Sequence, residues 1–391
     1  MAFDLQRARL DTPGCAHVLH FNNAGSALPP QTVLDATIDY LQLEARIGGY
    51  EAMEQAHDKL DHTYAAAASL IGCASTEIAL VESATRAWDL AFYAIPFAPG
   101  DRILTAMTEY ASNYIAYLQM AQKIGVIVEP VPNDEHGQIS VTALRAMLDE
   151  RVKLIAITHV PTSGGLINPA AEVGKIAREH GILYLLDACQ SIGQMPMNVE
   201  TIGCDLLSAT GRKYLRGPRG TGFLYVRNSV LDQLTPPMLD MFAATWIARD
   251  RYEMRPDARR FESFETSFAT RVGLGVAIDY AMQWGVENTW RRIRDLAYAL
   301  RTQLSPIPGV IVHDRGINQC GIVTFTVEGQ EPEAIKQQLA QQQIHVTVAN
   351  RSSTLLDLEE RGLNLMVRAS VHYYNSEQEI ERFCHAIAKL A

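Results

Sequence analysis

No apolar run in this chain approaches the ~18 residues needed to cross a bilayer, and the opening MAFDLQRARLDTPG lacks the apolar centre of a signal peptide. Cations are scarce: 34 Lys+Arg face 44 Asp+Glu, a formal net charge of −10. With no basic excess to neutralise phosphates, a general binder of nucleic acid or of anionic membranes is excluded. The six cysteines (Cys15, Cys73, Cys189, Cys204, Cys320, Cys384) include no C-x-x-C pair. That spacing suits neither a zinc site nor a small disulfide scaffold, and it reads as buried small hydrophobes. Internal repeats and low-complexity tracts are absent too. A cytoplasmic protein with no membrane, nucleic-acid or metal partner is the expectation.

What is present is ordinary globular material: 391 residues, 48% hydrophobic and 20% charged, enough for two domains sharing an interface. From about residue 75 apolar, β-branched runs alternate with helical stretches. Strands are expected at 77–82, 101–106, near 127, at 152–160 and 182–188, with helices from about Thr85 and from Ser112 to Lys123. In NPAAEVGKIAREHG, Asn168 is positioned to cap, Pro169 to open and Gly181 to end a helix. Such a βαβ rhythm predicts a mainly parallel sheet between helices. After about residue 285 the rhythm changes. A long helix at 287–304 should be followed by strands near 308–313, 320–327, 344–348 and 365–370, with helices at 332–342 and from Glu377. The expected domains are an α/β domain over 20–285 and a smaller α+β domain over 286–391, which an N-terminal arm (1–19) joins.

One local exception to the acidic composition is SATGRKYLRGPRGTG, where Arg212, Lys213, Arg216 and Arg219 fall among glycines and small residues. A lysine in such a turn suggests phosphate binding or Schiff-base formation with a carbonyl. The phosphate-loop pattern G-x-x-x-x-G-K-[ST] is missing, since Tyr214 follows Lys213, and so is G-x-G-x-x-G. Upstream, Asp187 ends the apolar strand LYLLD, where open α/β sheets place ligand groups. A carboxylate there can keep a pyridine nitrogen protonated, which makes pyridoxal phosphate an electron sink. Gln190 lies within reach of the ring substituents. Ser83 and Thr85 sit at a strand-to-helix turn whose free N–H groups favour an anion, to which Thr210 and Arg212 would add. These observations make the anion a cofactor phosphate and Lys213 the residue that carries the cofactor.

From HFNNAGSALPP (20–30) to VRASVHYYNSEQEI (367–380) the chain resembles the class V aminotransferase family of fold-type I pyridoxal-phosphate enzymes, with its cysteine desulfurases, selenocysteine lyases, cystine C–S lyases and isopenicillin N epimerases. Residues 158–226 carry the likeness most specifically. The resemblance implies the fold of those enzymes and a homodimer with active sites at its interface. It further implies pyridoxal 5′-phosphate held as an internal aldimine on Lys213, and an amino-acid substrate whose α-proton loss gives a quinonoid. By the same resemblance Asp187 pairs with the pyridine nitrogen and Gln190 with the phenolic oxygen. Ser83, Ala84, Thr85, Thr210 and Arg212 would hold the phosphate, with Thr266 reaching across the dimer to it. Arg368 would grip the substrate carboxylate with its planar fork, and Asn23 and Ser352 would line the substrate's place.

Three departures bear on the reaction. The ring-stacking histidine of the family is Tyr110 here, which can stack but releases a proton far less readily than imidazole at neutral pH. The loop that carries the desulfurase cysteine corresponds to VANRSSTLLDLEERG (348–362), which has none; Ser352 or Ser353 stands near its place and cannot accept sulfane sulfur as a thiolate does. Thr162 replaces an asparagine and can still bond the cofactor. The expectation is a desulfurase-like C–S lyase acting by β-elimination without a persulfide cysteine. An aminotransferase or amino-acid epimerase, with Tyr110 as second acid, is the alternative, and a degenerate cofactor-binding protein a third. The segment 236–262, rich in aromatics and arginines, reads as an active-site or interface insert, in which Trp246, Arg251 and Arg255 could meet an acidic part of the substrate.

Overall fold

The computed structural model describes residues 3–391. Its centre is a seven-stranded sheet built from β1 (Ile78–Val81), β2 (Arg102–Ala106), β3 (Ile127–Val131), β4 (Val152–Thr158), β5 (Leu183–Asp187), β6 (Leu206–Thr210) and β7 (Gly222–Val226). The order is β1-β7-β6-β5-β4-β2-β3, and β7 runs against the other six. Helices cover both faces, so every residue of β1, β2, β5, β6 and β7 is buried. That double burial is why these strands read as unbroken apolar runs. The edge strand β3 is the exception, half exposed and carrying Glu129 and Pro130. This is the mainly parallel sheet between helices that the βαβ rhythm of the sequence predicts.

A second, antiparallel sheet follows: β8 (Val310–Val312), β9 (Ile322–Val327), β10 (Thr347–Asn350) and β11 (Leu365–Ser370), ordered β8-β9-β11-β10. The helix Val286–Leu304 leads into it and Glu377–Ala388 closes the chain. The strand expected at 344–348 is split. Ile344–His345 pairs in parallel with Leu19–His20 of the N-terminal arm, whereas Thr347–Asn350 pairs with Leu365–Ser370. Two partners in different planes require the break. Asn168 also departs from expectation: Pro169 takes the N-cap position of Ala170–His180, while Gly181 ends the helix in the left-handed region at φ +64°. The Asn168 side chain instead donates to Thr108 and to the Thr158 carbonyl and accepts from the Ile139 amide. No described helix is long and apolar enough to cross a membrane.

Of the three arginines clustered around Lys213, Arg216 has no anion among its partners. It is 1% exposed and sits at φ +62°. Its guanidinium donates to the Leu28 carbonyl, the Tyr373 hydroxyl and Thr12 Oγ1, and lies over the rings of Tyr280, Tyr373 and Tyr374. None of these partners is a carboxylate. Arg216 thus pins the arm and the C-terminal segment to the lysine loop, and cation–π contact replaces a counter-ion. Arg216→Ala should lower the urea midpoint by an amount equivalent to about 3 kcal/mol, because two buried hydroxyls and a half-buried carbonyl lose their partner. An unchanged midpoint would show that relief of the buried charge offsets that loss, since alanine keeps the Cβ that strains the left-handed backbone.

Candidate active site

Strands β1, β2, β4, β5 and β6 approach the site with their carboxyl ends, where an open α/β sheet leaves a crevice, and the antiparallel β7 begins there at Gly222. A cavity of about 310 Å³ opens there, with walls from the turns that follow β1, β2, β4, β5 and β6. Sheet register places two wall residues: Thr158 and Asp187 stand side by side on β4 and β5, with Ser208 next to Asp187 on β6.

At one end is the turn after β1. Ser83 caps the helix Ala84–Phe92, its Oγ accepting from the Arg86 amide at 3.1 Å. Gly222 of β7 allows close packing here, since a Cβ would come within 2.9 Å of the Ser83 carbonyl carbon and 2.5 Å of the Ala209 oxygen. Ser83, Ala84 and Thr85 all line the cavity. Arg212 lines the same cavity, and its buried Nη1 has no partner. Thr210 is at the wall as well, but its hydroxyl donates to the Thr221 carbonyl at 3.3 Å.

Asp187 lies at the other end, 5% exposed. Its Oδ1 accepts from the Cys189 amide at 2.9 Å and its Oδ2 from Asn113 Nδ2 at 3.0 Å. Burial pushes its carboxyl above the usual carboxylate range, opposed by those two donors and by Lys213. Lys213 projects from the loop after β6 with Nζ 3.3 Å from Cys189 Sγ. Gln190 is buried at the wall, donating to the Ala24 carbonyl and weakly to Thr162, with Oε1 unpartnered. Tyr110 also lines the cavity, at the start of the helix Ala111–Ile124.

Arg368 comes from β11 and stands directly behind Thr162, bonding its carbonyl at 3.0 Å and its hydroxyl at 2.6 Å. Its Nη2 reaches Asn22 Oδ1 at 3.4 Å, and its buried Nε has no partner. Burial pushes the guanidinium down to about 10, so it stays cationic at neutral pH.

Several expected residues lie elsewhere. Asn23 is fully buried and held by the Tyr374 hydroxyl, the His20 carbonyl and the Ser370 carbonyl. Its neighbour Asn22 is the asparagine at Arg368, because residues 22 and 23 point opposite ways where the arm bridges Ser370. Ser352 is exposed on the turn Arg351–Ser353 and is not on the cavity wall. Thr266 lines a small separate depression that shares Glu82 with the main cavity. The insert forms an exposed hairpin, Ala244–Ala248 with Arg251–Met254, in which Trp246 is 79% exposed. Arg255 pairs with Asp257. Within one chain none of this hairpin reaches the cavity wall.

Four wall or near-wall residues escaped the sequence reading: Glu109, Asn113, Thr158 and Cys189. Glu109 and Asn113 do stand four residues apart at a helix start, a spacing that puts side chains together, but nothing local says that they face Asp187. Cys189, expected among the buried small hydrophobes, borders the cavity, with burial pushing its thiol up.

The aminotransferase class-V profile matches residues 19–383. This chain belongs to that family. A probable cysteine desulfurase of Methanothermobacter thermautotrophicus is 28% identical across 98% of this chain and 97% of its own. Another, from Xylella fastidiosa strain Temecula1, is 30% identical across 99% and 95%. The apo structure of a cysteine desulfurase from Thermococcus onnurineus superposes with a TM-score of 0.93 at 27% identity, covering 100% of this chain and 98% of that one. A cystine C–S lyase solved with its product cysteine persulfide shares the fold, with a TM-score of 0.87 at 22% identity over 96% and 99%. The protein is therefore a cysteine desulfurase-like class V enzyme.

Whether the residues present suit the family's cofactor can be tested on the site itself. Pyridoxal 5′-phosphate needs an anion cradle, a carboxylate for its ring nitrogen, a primary amine for its aldehyde and a flat side chain for its ring. The Ser83–Thr85 turn with the unpaired Arg212 Nη1, Asp187, Lys213 and Tyr110 offer these around one cavity. The residues fit.

Proposed function

We propose that this class V enzyme is a lyase that cleaves the Cβ–S bond of cysteine or a close relative by β-elimination and releases the sulfur instead of storing it on the chain. The observation that supports this most is the combination of a complete amine–carboxylate set at the cavity with no cysteine in segment 348–362. The remaining thiols are poor sulfur acceptors. Cys320 is buried and pushed up to about 12, and Cys189, at the cavity wall beside Lys213, has its thiol pushed up by burial.

Bound at this cavity, pyridoxal phosphate supplies the sink for charge that develops at the substrate Cα. The Ser83–Thr85 amides and Arg212 would anchor its phosphate, and Asp187 would hold a proton on its ring nitrogen. Thr162, Gln190 and Tyr110 would orient it. Arg368, backed by Asn22, would take the substrate carboxylate and set the Cα–H bond toward Lys213. Lys213 Nζ would then accept the Cα proton and return it to the departing sulfur. With cysteine and one water the balance is pyruvate, ammonium and hydrogen sulfide. No oxidant is required, and no atom stays on the protein.

With cysteine as substrate, the holo-protein should release pyruvate and sulfide in equal amounts, and intact-protein mass should show no added sulfur. Alanine with a persulfide on the chain would return the protein to the desulfurase reaction. Pyridoxamine phosphate that persists until a keto acid is added would make it an aminotransferase, and inversion at Cα without elimination an epimerase.

A further inference from the structure

Behind Asp187, away from the cavity, a second carboxylate is held with unusual completeness. Glu109 is 3% exposed. Its Oε1 accepts from Thr158 Oγ1 at 2.5 Å, from the Tyr110 amide at 2.8 Å and from Asn113 Nδ2 at 2.9 Å, and its Oε2 from Thr105 Oγ1 at 2.8 Å. Asn113 Nδ2 carries only two hydrogens. One goes to Glu109 and the other to Asp187 Oδ2 at 3.0 Å. A single amide group therefore ties the two carboxylates together, and the same Glu109 oxygen fixes the backbone of Tyr110.

We propose that Glu109 is a positioning residue that acts through Asn113 to keep Asp187 aimed at the cofactor's ring nitrogen and to strengthen its hold on the proton there. The inference rests on the reading of Asp187 given above. An anion placed behind a hydrogen-bond bridge makes the bridged carboxylate a better proton acceptor, and in a dry interior that influence is weakly screened. Four donors favour the ionised form of Glu109, while burial and the nearby Asp187 push it up to about 7. The other titratable group close to it is Tyr117, which burial keeps as a neutral phenol. Lys213 is the cation whose charge favours the ionised form of Asp187.

Glu109→Gln removes the charge and keeps the shape. The glutamine oxygen can still accept from Asn113 and Tyr110, while its amide nitrogen faces a threonine hydroxyl able to accept. The experiment is equilibrium dialysis of apoprotein at pH 8 with pyridoxal phosphate and with its 1-deaza analogue, in which C–H replaces the ring nitrogen. Glu109→Gln should weaken pyridoxal phosphate about tenfold, the size of ~1 pKa unit of coupling, and the deaza analogue less than about twofold. Equal weakening of both ligands, or of neither, overturns the proposal, because a merely structural loss cannot tell nitrogen from carbon. Asn113→Ala, which cuts the bridge, should give the same discrimination and serves if the glutamine variant does not fold. Asp187→Asn is the reference. If it weakens pyridoxal phosphate selectively while Glu109→Gln does not, Glu109 alone loses its role. If Asp187→Asn is also without selective effect, the reading of Asp187 falls, and this inference with it.

Discussion

Lys213→Ala is expected to abolish covalent attachment of the cofactor and to lower turnover of cysteine by at least about 10³-fold, the upper part of the range for loss of a positioned acid–base group. Lys213 Nζ has two tasks in the proposed reaction. It anchors the cofactor, and it carries one proton from Cα to sulfur, so no other group can cover for its loss. Cys189, at 3.3 Å, is its nearest polar neighbour, and burial keeps that thiol protonated and unfit as a base. Lys213→Arg should fail almost as badly, since a guanidinium retains the charge and neither attacks a carbonyl nor gives up a proton at neutral pH. Borohydride reduction followed by intact mass checks the attachment: wild type gains the cofactor's mass and both variants do not. Turnover within tenfold of wild type in Lys213→Ala would end the proposed mechanism.

Arg368→Ala is expected to raise KM for cysteine by about 30- to 1,000-fold with a much smaller change in kcat, the size of losing one partner of a buried charged pair. The reason is the unusual solvation of Arg368. It is buried, with only a carbonyl, a hydroxyl and an amide oxygen as partners and its Nε unpaired. A buried guanidinium so arranged is short of an anion, and the substrate carboxylate is the anion the reaction supplies. Arg368→Lys should fall between, because it keeps charge and loses the bidentate fork. Cysteine amide, lacking the carboxylate, provides the control: wild type and Arg368→Ala should handle it equally. If the variant loses as much on the amide as on cysteine, Arg368 supports the fold around Thr162 and not the substrate.

The chemistry of this chain was legible along its length because the functional groups follow strands. Polar residues lie at or just beyond the ends of the apolar runs, and Ser83–Thr85, Tyr110, Thr162, Asp187–Gln190 and Thr210–Lys213 come up in the order in which parallel strands deliver their carboxyl ends to one crevice. Spacing along a strand is local information, and so the parallel sheet, the lysine loop and the cavity's main wall could be read from it. The lack of a cysteine in 348–362 is likewise a fact of sequence that needs no coordinates.

Tertiary structure decided what depends on direction and depth. Asn22 and Asn23 are neighbours in the same motif, and only the bridge to Ser370 shows that the first reaches Arg368 while the second is locked in the interior. Arg216 and Arg212 stand four residues apart in one basic cluster, yet one packs on three tyrosine rings with no carboxylate among its partners and the other offers an unpaired N–H to the cavity. Glu109 became visible as Asp187's second carboxylate only when three strands and a helix start had brought residues 105, 109, 113, 158 and 187 together. Sequence by itself determined which reactive groups this protein owns and that they meet at one end of a sheet. Folding alone determined which way each points, since a side chain's orientation is set by the neighbours that exclude water from it.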